Sequence, residues 1–332
     1  MIFKGQTMVH DGNSLRTVAR IEDKVRLGPD SRVDDKALII TTQDPHATDP
    51  FLLFAEDWFS EPGFEWHPHR GIETVTMVLD GVLEHGDNAG NTGALQPGDI
   101  QWMTAGKGII HRELAFKNEY AHTLQLWVNL PKKLKMIQTG YQDLRASVRP
   151  SITTKGASID VVSGKVADTV GLAKNQHPIQ GAVLTLEPSA SLDYALPSSH
   201  RAFLYVLEGE VSIGGRKVRA GQIAWSDPVN GPGSSLHIKA IAREQTSRVL
   251  TYSGTPLREP VVMGGPIVMN SRAEIDRAMQ DYHSGKFGQV PRQPRLKRAS
   301  SSARTMSSTL SLASPKSIAE FSLKNSGFCT PA

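Results

Sequence analysis

Two short phrases occur twice in this chain, and they narrow its possible folds more than anything else in it. Val78-Leu79-Asp80-Gly81 returns as Val206-Leu207-Glu208-Gly209, and Gly98-Asp99-Ile100-Gln101-Trp102 returns as Gly221-Gln222-Ile223-Ala224-Trp225. The two glycines are 17 residues apart in the first copy and 12 in the second, so one loop is five residues shorter. A repeat this long is a domain duplication, not a solenoid. A length of 332 residues has room for two such domains.

The residues around the repeats are those of β-structure. Glu73 to Leu79 is rich in β-branched residues, Asp80-Gly81 supplies a turn, and Val82 to His85 is expected to return as the second arm of a hairpin. Asp87 to Gly93 reads as a loop, Ile100 to Thr104 and Thr123 to Asn129 as strands, and Tyr141 to Pro150 as polar and irregular. Strand-like runs resume at Ser158 to Val162 and Ala182 to Glu187. Many short strands with regular turn signals point to sandwiches or barrels. Near the end, Asn270 or Ser271 caps a helix with Ile275, Ala278, Met279 and Tyr282 on its apolar stripe, and Gly285 stops it.

Charge separates the body from a tail. From Pro291 onward seven basic residues face Glu320 alone, a net +6, which leaves −2 for the preceding 290 residues of a chain whose total is +4. The folded body is therefore not a basic nucleic-acid-binding surface. The segment 291–332 is Ser-rich, lacks an amphipathic period and reads as a disordered basic tail. Its PRQPRLKR cluster allows nucleic-acid contact, nuclear import or a phosphorylation site at Ser300. Cys329 is the only cysteine, so no intramolecular disulfide forms. Neither a secretory signal nor a long apolar run is seen, which gives the expectation of a cytoplasmic protein, or a nuclear one in a eukaryote, without a membrane partner.

The chemistry concentrates between Gly63 and Glu113. His67-Pro68-His69 and His111-Arg112-Glu113 are two pairs at i, i+2 spacing. On strands, such pairs aim both side chains at one face. Three imidazoles and a carboxylate suit a divalent transition metal, although ordinary strand-end histidines would show the same spacing. The duplication supplies a control. Transferring the offsets from Gly81 to Gly209 and from Trp102 to Trp225 moves His67 onto Ala195, His69 onto Pro197, His111 onto Ser234 and Glu113 onto Leu236. The second copy keeps the scaffold without the ligands, which favours a functional reading of the first. His85 reads first as a buried or surface histidine with a hydrogen bond and second as a cavity residue.

The order His67, His69, Glu73, Gly81, then Gly108-Ile109-Ile110-His111, resembles the two motifs of the cupin barrel, with Gly106 standing where a proline is usual. The longer wording is more specific. HPHRGIETVT, NTGALQPGDIQWMTAGKGIIHRE, LYVLEGEVSIGG and GGPIVMNSRAEIDRAMQDYHSGKFG together resemble the pirin family of bicupins over residues 10 to 290. The resemblance implies an all-β bicupin of two jelly-roll-like barrels in tandem. Residues 1–135 would form a metal-binding cupin and 136–290 a cupin without metal ligands, with a short C-terminal helix before the 291–332 tail.

The resemblance further implies one metal, iron(II) first among Mn, Ni, Co, Cu and Zn, held by His67, His69, His111 and Glu113. Glu73, which the general cupin motif nominates, is kept as a supporting residue or occasional ligand. The implied activity is a quercetin 2,3-dioxygenase-type ring opening of a flavonol or related enol or catechol by dioxygen, with Glu113 or Glu73 taking the substrate proton. The other class that the family offers is a metal-dependent, redox-sensing protein that binds a protein partner as a transcriptional co-regulator or enzyme modulator.

Overall fold

The computed structural model describes residues 9–10, 13–60, 63–242 and 244–291, and the expected tail beyond Pro291 lies outside the described residues. Each half builds one large and one small sheet. In the first half a seven-stranded sheet runs in the order Gly140–Leu144, Ile100–Thr104, Ile72–Gly81, Ala121–Asn129, Phe51–Phe59, Asp35–Ile40 and Val25–Arg26. Facing it is a four-stranded sheet of Thr92–Leu95, Leu83–Asp87, Ile109–Ala115 and Phe64–His69. The second half repeats the plan, its seven-stranded sheet centred on Ser247–Gly254 and Arg201–Glu208. The chain is thus an all-β bicupin.

The two large sheets pack against each other. Val75, Met77, Trp102, Leu124, Leu126 and Val128 from the first half share one core with Phe203, Tyr205, Trp225, Leu250 and Tyr252 from the second. Phe51 meets Phe203 edge-on at 4.9 Å, and Trp102 meets Tyr252 at 6.3 Å. The repeated tryptophans, Trp102 and Trp225, are both fully buried in this layer. The repeat in sequence therefore reflects one packing role used twice. Burial of each large apolar side chain contributes about 1.5–3 kcal/mol, so this layer holds the two barrels together.

Alternation decides what faces the other way. On Ile72–Gly81, Val75 and Met77 point into the shared core, and Thr76 points into the first barrel, where it reaches Glu113. The second barrel is filled with apolar side chains, among them Leu192, Tyr194, Leu196, Leu204 and Val206. The first barrel keeps polar groups inside.

Three local expectations are corrected. Val82 to His85 does not pair with Glu73 to Leu79: Ile72–Gly81 pairs with Ile100–Thr104 and Ala121–Asn129, and Leu83–Asp87 joins the opposite sheet. Gly81, at φ 72°, makes that corner, and a Cβ there would lie 2.2 Å from the Tyr120 carbonyl oxygen. Asp87 to Gly93 contains only a short turn between strands, held by Asp87 Oδ1, which accepts from the backbone N–H groups of Ala89 and Asn91 at 2.9 Å. Tyr141 to Pro150 begins in a strand, since Gly140–Leu144 pairs along Ile100–Thr104. That strand is a sheet edge, where one-sided burial leaves little apolar alternation to read.

The linear division at 135/136 is crossed in both directions. Asn13–Leu15 and Arg20–Asp23 pair with Ser234–Ala240 and Gln222–Ser226 of the second half. The C-terminal segment instead returns to the first half, where Ile267, Met269, Ile275, Ala278 and Phe287 enclose Ile110. Its helix, Arg272–His283, is capped by Ser271, whose Oγ accepts from Glu274 N–H, while Glu274 Oε2 accepts from Asn270 N–H at 3.0 Å. Ile275 and Ala278 are buried, but Met279 is exposed, so the apolar stripe is narrower than its spacing suggested. Among the described residues no helix is long and apolar enough to cross a membrane.

Candidate metal centre

Phe64–His69 and Ile109–Ala115 are antiparallel neighbours, and His111 stands directly opposite His67. The i, i+2 rule places His69 beside His67 on the same face. The ligand-capable atoms of His67, His69 and His111 lie within 4.8 Å of one another. Ring centroids are 4.3 Å apart for His67 and His111, 4.9 Å for His69 and His111, and 5.0 Å for His67 and His69.

Each of the three rings makes its hydrogen bond through Nδ1. His67 Nδ1 lies 2.7 Å from the carbonyl oxygen of Glu65 and His69 Nδ1 lies 3.1 Å from that of Pro266. His111 Nδ1 faces His85 Nε2 at 3.2 Å. A carbonyl only accepts, so the first two rings carry their proton on Nδ1 and turn an Nε2 lone pair away from it. The buried Nε2 atoms of His69 and His111 have no partner among the described residues. Buried imidazoles bonded at one nitrogen and unpaired at the other are what metal ligation needs. Burial also lowers the pKa of all three, which favours the neutral imidazole. The trio therefore fits a divalent metal ion.

Glu113 follows His111 past a bulge in the strand pairing and is not one of the clustered groups. Its Oε1 accepts from Thr76 Oγ1 at 2.9 Å and its Oε2 from Gln125 Nε2 at 2.6 Å. Burial raises its pKa, against the two hydrogen bonds. It lines the same cavity as His67 and His69, a space of about 490 Å³ whose walls include Phe64, Trp66 and Trp127. Arg112 points out of the sheet, with its guanidinium 5.0 Å from the Trp66 ring and near Glu84, which is why a large residue is tolerated between two site residues.

Glu73 is elsewhere. It stands opposite Thr104, on the face of its strand that carries Val75 and Met77 into the shared core, and its Oε1 accepts from Thr104 Oγ1 at 2.7 Å. Gly71, at φ 79°, separates it from His69, so the i, i+2 count does not run through. A role for Glu73 as ligand or base is corrected on this ground. Two residues near the site were missed. Asp57 is buried, and its pKa is pushed up to about 7 by burial first and the Glu113 charge second. Tyr141 stacks on His85 at 4.9 Å. Neither has a sequence signal, because both reach the site from other strands.

The second barrel answers the offset control. Ser234 Oγ, at the position matching His111, accepts from Arg16 Nε at 2.8 Å. Arg16 Nη2 donates to the carbonyl oxygens of Pro197, Ser198 and His200 at 2.8, 3.1 and 2.8 Å. A buried guanidinium from the N-terminal arm thus sits among the positions that in the first barrel carry imidazoles.

The comparisons agree with this architecture. Residues 34–128 match the pirin family and residues 181–288 the pirin C-terminal cupin domain. Pirin-1 of Arabidopsis thaliana is 37% identical over 288 residues, covering 85% of this chain and 98% of the relative. Pirin of Homo sapiens is 38% identical over 242 residues, covering 72% and 83%. The structure of quercetin 2,3-dioxygenase from Acinetobacter baumannii superposes with a TM-score of 0.74 at 29% identity, covering 83% of this chain and all of that one. With both cupin halves matched in order and the histidine cluster confined to the first, this chain belongs to the pirin family.

Proposed function

We propose that this protein is a metal-dependent dioxygenase of the quercetin 2,3-dioxygenase type, opening the ring of a flavonol or a related enol or catechol. One observation carries the reading: two of the three clustered imidazoles, His67 and His69, line an aromatic-walled cavity of about 490 Å³ together with an acid, Glu113. A solved relative at 29% identity bears that activity in its name, which supports the same reading.

His67, His69 and His111 would hold the metal, with Glu113 as the fourth ligand, and iron(II) is the first ion to test. When bound, the ion supplies Lewis acidity and an electron path between substrate and dioxygen. The remaining work falls to side chains of this chain. Phe64, Trp66 and Trp127 offer faces and edges against which a planar ring stacks. Thr76 and Gln125 fix the Glu113 carboxylate by one hydrogen bond on each oxygen. Glu113, held in the cavity wall, is the carboxylate that would take the proton of a substrate hydroxyl. Both atoms of dioxygen enter the product, and one ring carbon leaves as carbon monoxide.

The test is anaerobic reconstitution with iron(II), followed by oxygen and quercetin, with flavonol absorbance, oxygen uptake and carbon monoxide recorded together. Turnover with one carbon monoxide released per flavonol, absent from His67→Ala, supports the proposal. Metal binding without turnover rejects it in favour of the metal-dependent binding protein.

A further inference from the structure

We propose that His85 is a positioning residue for the metal centre, the hydrogen-bond acceptor that gives His111 the one tautomer able to bind a metal. The inference rests on the metal-centre reading above and deepens it.

The three candidate ligands are not held alike. His67 and His69 face carbonyl oxygens, which dictate a proton on Nδ1. His111 faces an imidazole nitrogen, and His85 Nε2 can donate or accept. If His85 donates, His111 must accept at Nδ1, and its own proton sits on Nε2, where a metal would bind. If His85 accepts, His111 Nε2 is a free lone pair. Only the second state completes the site.

His85 is placed for this task by several elements. It lies in the strand Leu83–Asp87, opposite Glu113 on one side and Gly93 on the other. Its side chain is buried, and its ring stacks on Tyr141 with an interplanar angle of 26°. Tyr141 is itself tethered, since its hydroxyl accepts from Gln101 Nε2 at 3.2 Å. Gly93 keeps this stack in place: a Cβ there would lie 3.0 Å from the Tyr141 hydroxyl. The Nδ1 of His85 has no partner among the described residues, so nothing on its far side dictates its tautomer. An imidazole acceptor also raises the basicity of the ligand it supports, and loss of such a partner typically weakens metal binding about 10–100-fold.

The competing view is that His85 only fills space beside Tyr141. Three variants separate the two. His85→Phe keeps a ring on Tyr141 and removes the acceptor, His85→Leu removes both, and His85→Gln restores an acceptor oxygen. Zinc(II) affinity is measured by competition with a chromophoric chelator, and the site is read by the visible spectrum of the cobalt(II) form. Thermal unfolding of each metal-free protein checks the fold. The proposal expects His85→Phe and His85→Leu to bind zinc(II) about 10–100-fold more weakly with an altered cobalt(II) spectrum, and His85→Gln to recover most of the affinity. In the zinc(II) protein, nitrogen NMR should show His111 protonated at Nδ1 and His85 at its own Nδ1. A folded His85→Phe protein that binds like wild type overturns the proposal, as does a His85→Gln protein as weak as His85→Phe. Wild type that takes up neither ion overturns the metal-centre reading itself.

Discussion

The Nδ1 atom of His69 lies 3.1 Å from the carbonyl oxygen of Pro266, a residue 197 positions further along the chain. The first half supplies the imidazoles, and the end of the second half sets the tautomer of one of them. The same returning segment is tied down by Arg70, whose Nη1 donates to Asp281 at 2.9 Å and whose guanidinium covers the Phe287 ring at 4.3 Å. Lys135 adds a donor to the Val268 carbonyl oxygen at 3.0 Å.

This docking makes metal binding sensitive to a glycine outside the ligand set. A Cβ on Gly71 would lie 2.0 Å from the Val268 carbonyl oxygen, at a φ of 79°. Gly71→Ala should therefore push residues 266–269 away from His69, at a cost of about 2 kcal/mol or more in stability. Zinc(II) affinity should fall with it. Thermal unfolding and chelator competition on the same protein would check both.

Removal of an imidazole and removal of the carboxylate should have different consequences. His111→Ala takes away one of three clustered ligands and should leave a protein without stoichiometric metal. Glu113 stands outside that cluster, so Glu113→Gln should retain metal at reduced affinity. Its flavonol turnover should drop about 10²–10⁴-fold, the usual contribution of a positioned base. Metal analysis beside single-turnover kinetics distinguishes the two.

Glu73 predicts a pH dependence of stability. Burial pushes its carboxyl up to about 7 from the ordinary 4.5. Between those values the folded chain keeps a proton that the unfolded chain has released, so this group's contribution to stability falls as pH rises across the window. At 1.36 kcal/mol per unit, the loss is about 3 kcal/mol. Glu73→Gln has no such titration. Urea unfolding at pH 4.5 and pH 8 should show the variant gaining on wild type by roughly that amount.

Arg16 should matter to stability and not to the metal. Arg16→Ala removes the guanidinium bonds to the Pro197, Ser198 and His200 carbonyl oxygens, of which the first two keep a backbone N–H donor. A loss of about 2–4 kcal/mol is expected, with metal content unchanged. Denaturant unfolding with metal analysis checks it, and a simultaneous loss of metal would contradict the separation of the two barrels' interiors.

The bicupin plan and three site histidines were legible in the chain because each rests on a local rule. The repeated turn-and-strand phrases mark the same packing layer twice, with Trp102 and Trp225 in it. The i, i+2 spacing of His67 and His69 survives folding because both lie in one strand. Glu73 misled because Gly71 breaks the strand between it and His69, and the strand Ile72–Gly81 that carries Glu73 pairs in the other sheet. The partners of the imidazoles were not legible at all. Pro266 reaches His69 from the far end of the body and His85 reaches His111 across a strand pair, while Tyr141 arrives on a sheet edge without alternation. Alternation in sequence reports which face of a strand a side chain occupies. Which nitrogen of an imidazole carries its proton depends on the atom that packs against it, and tertiary structure alone brings that atom there.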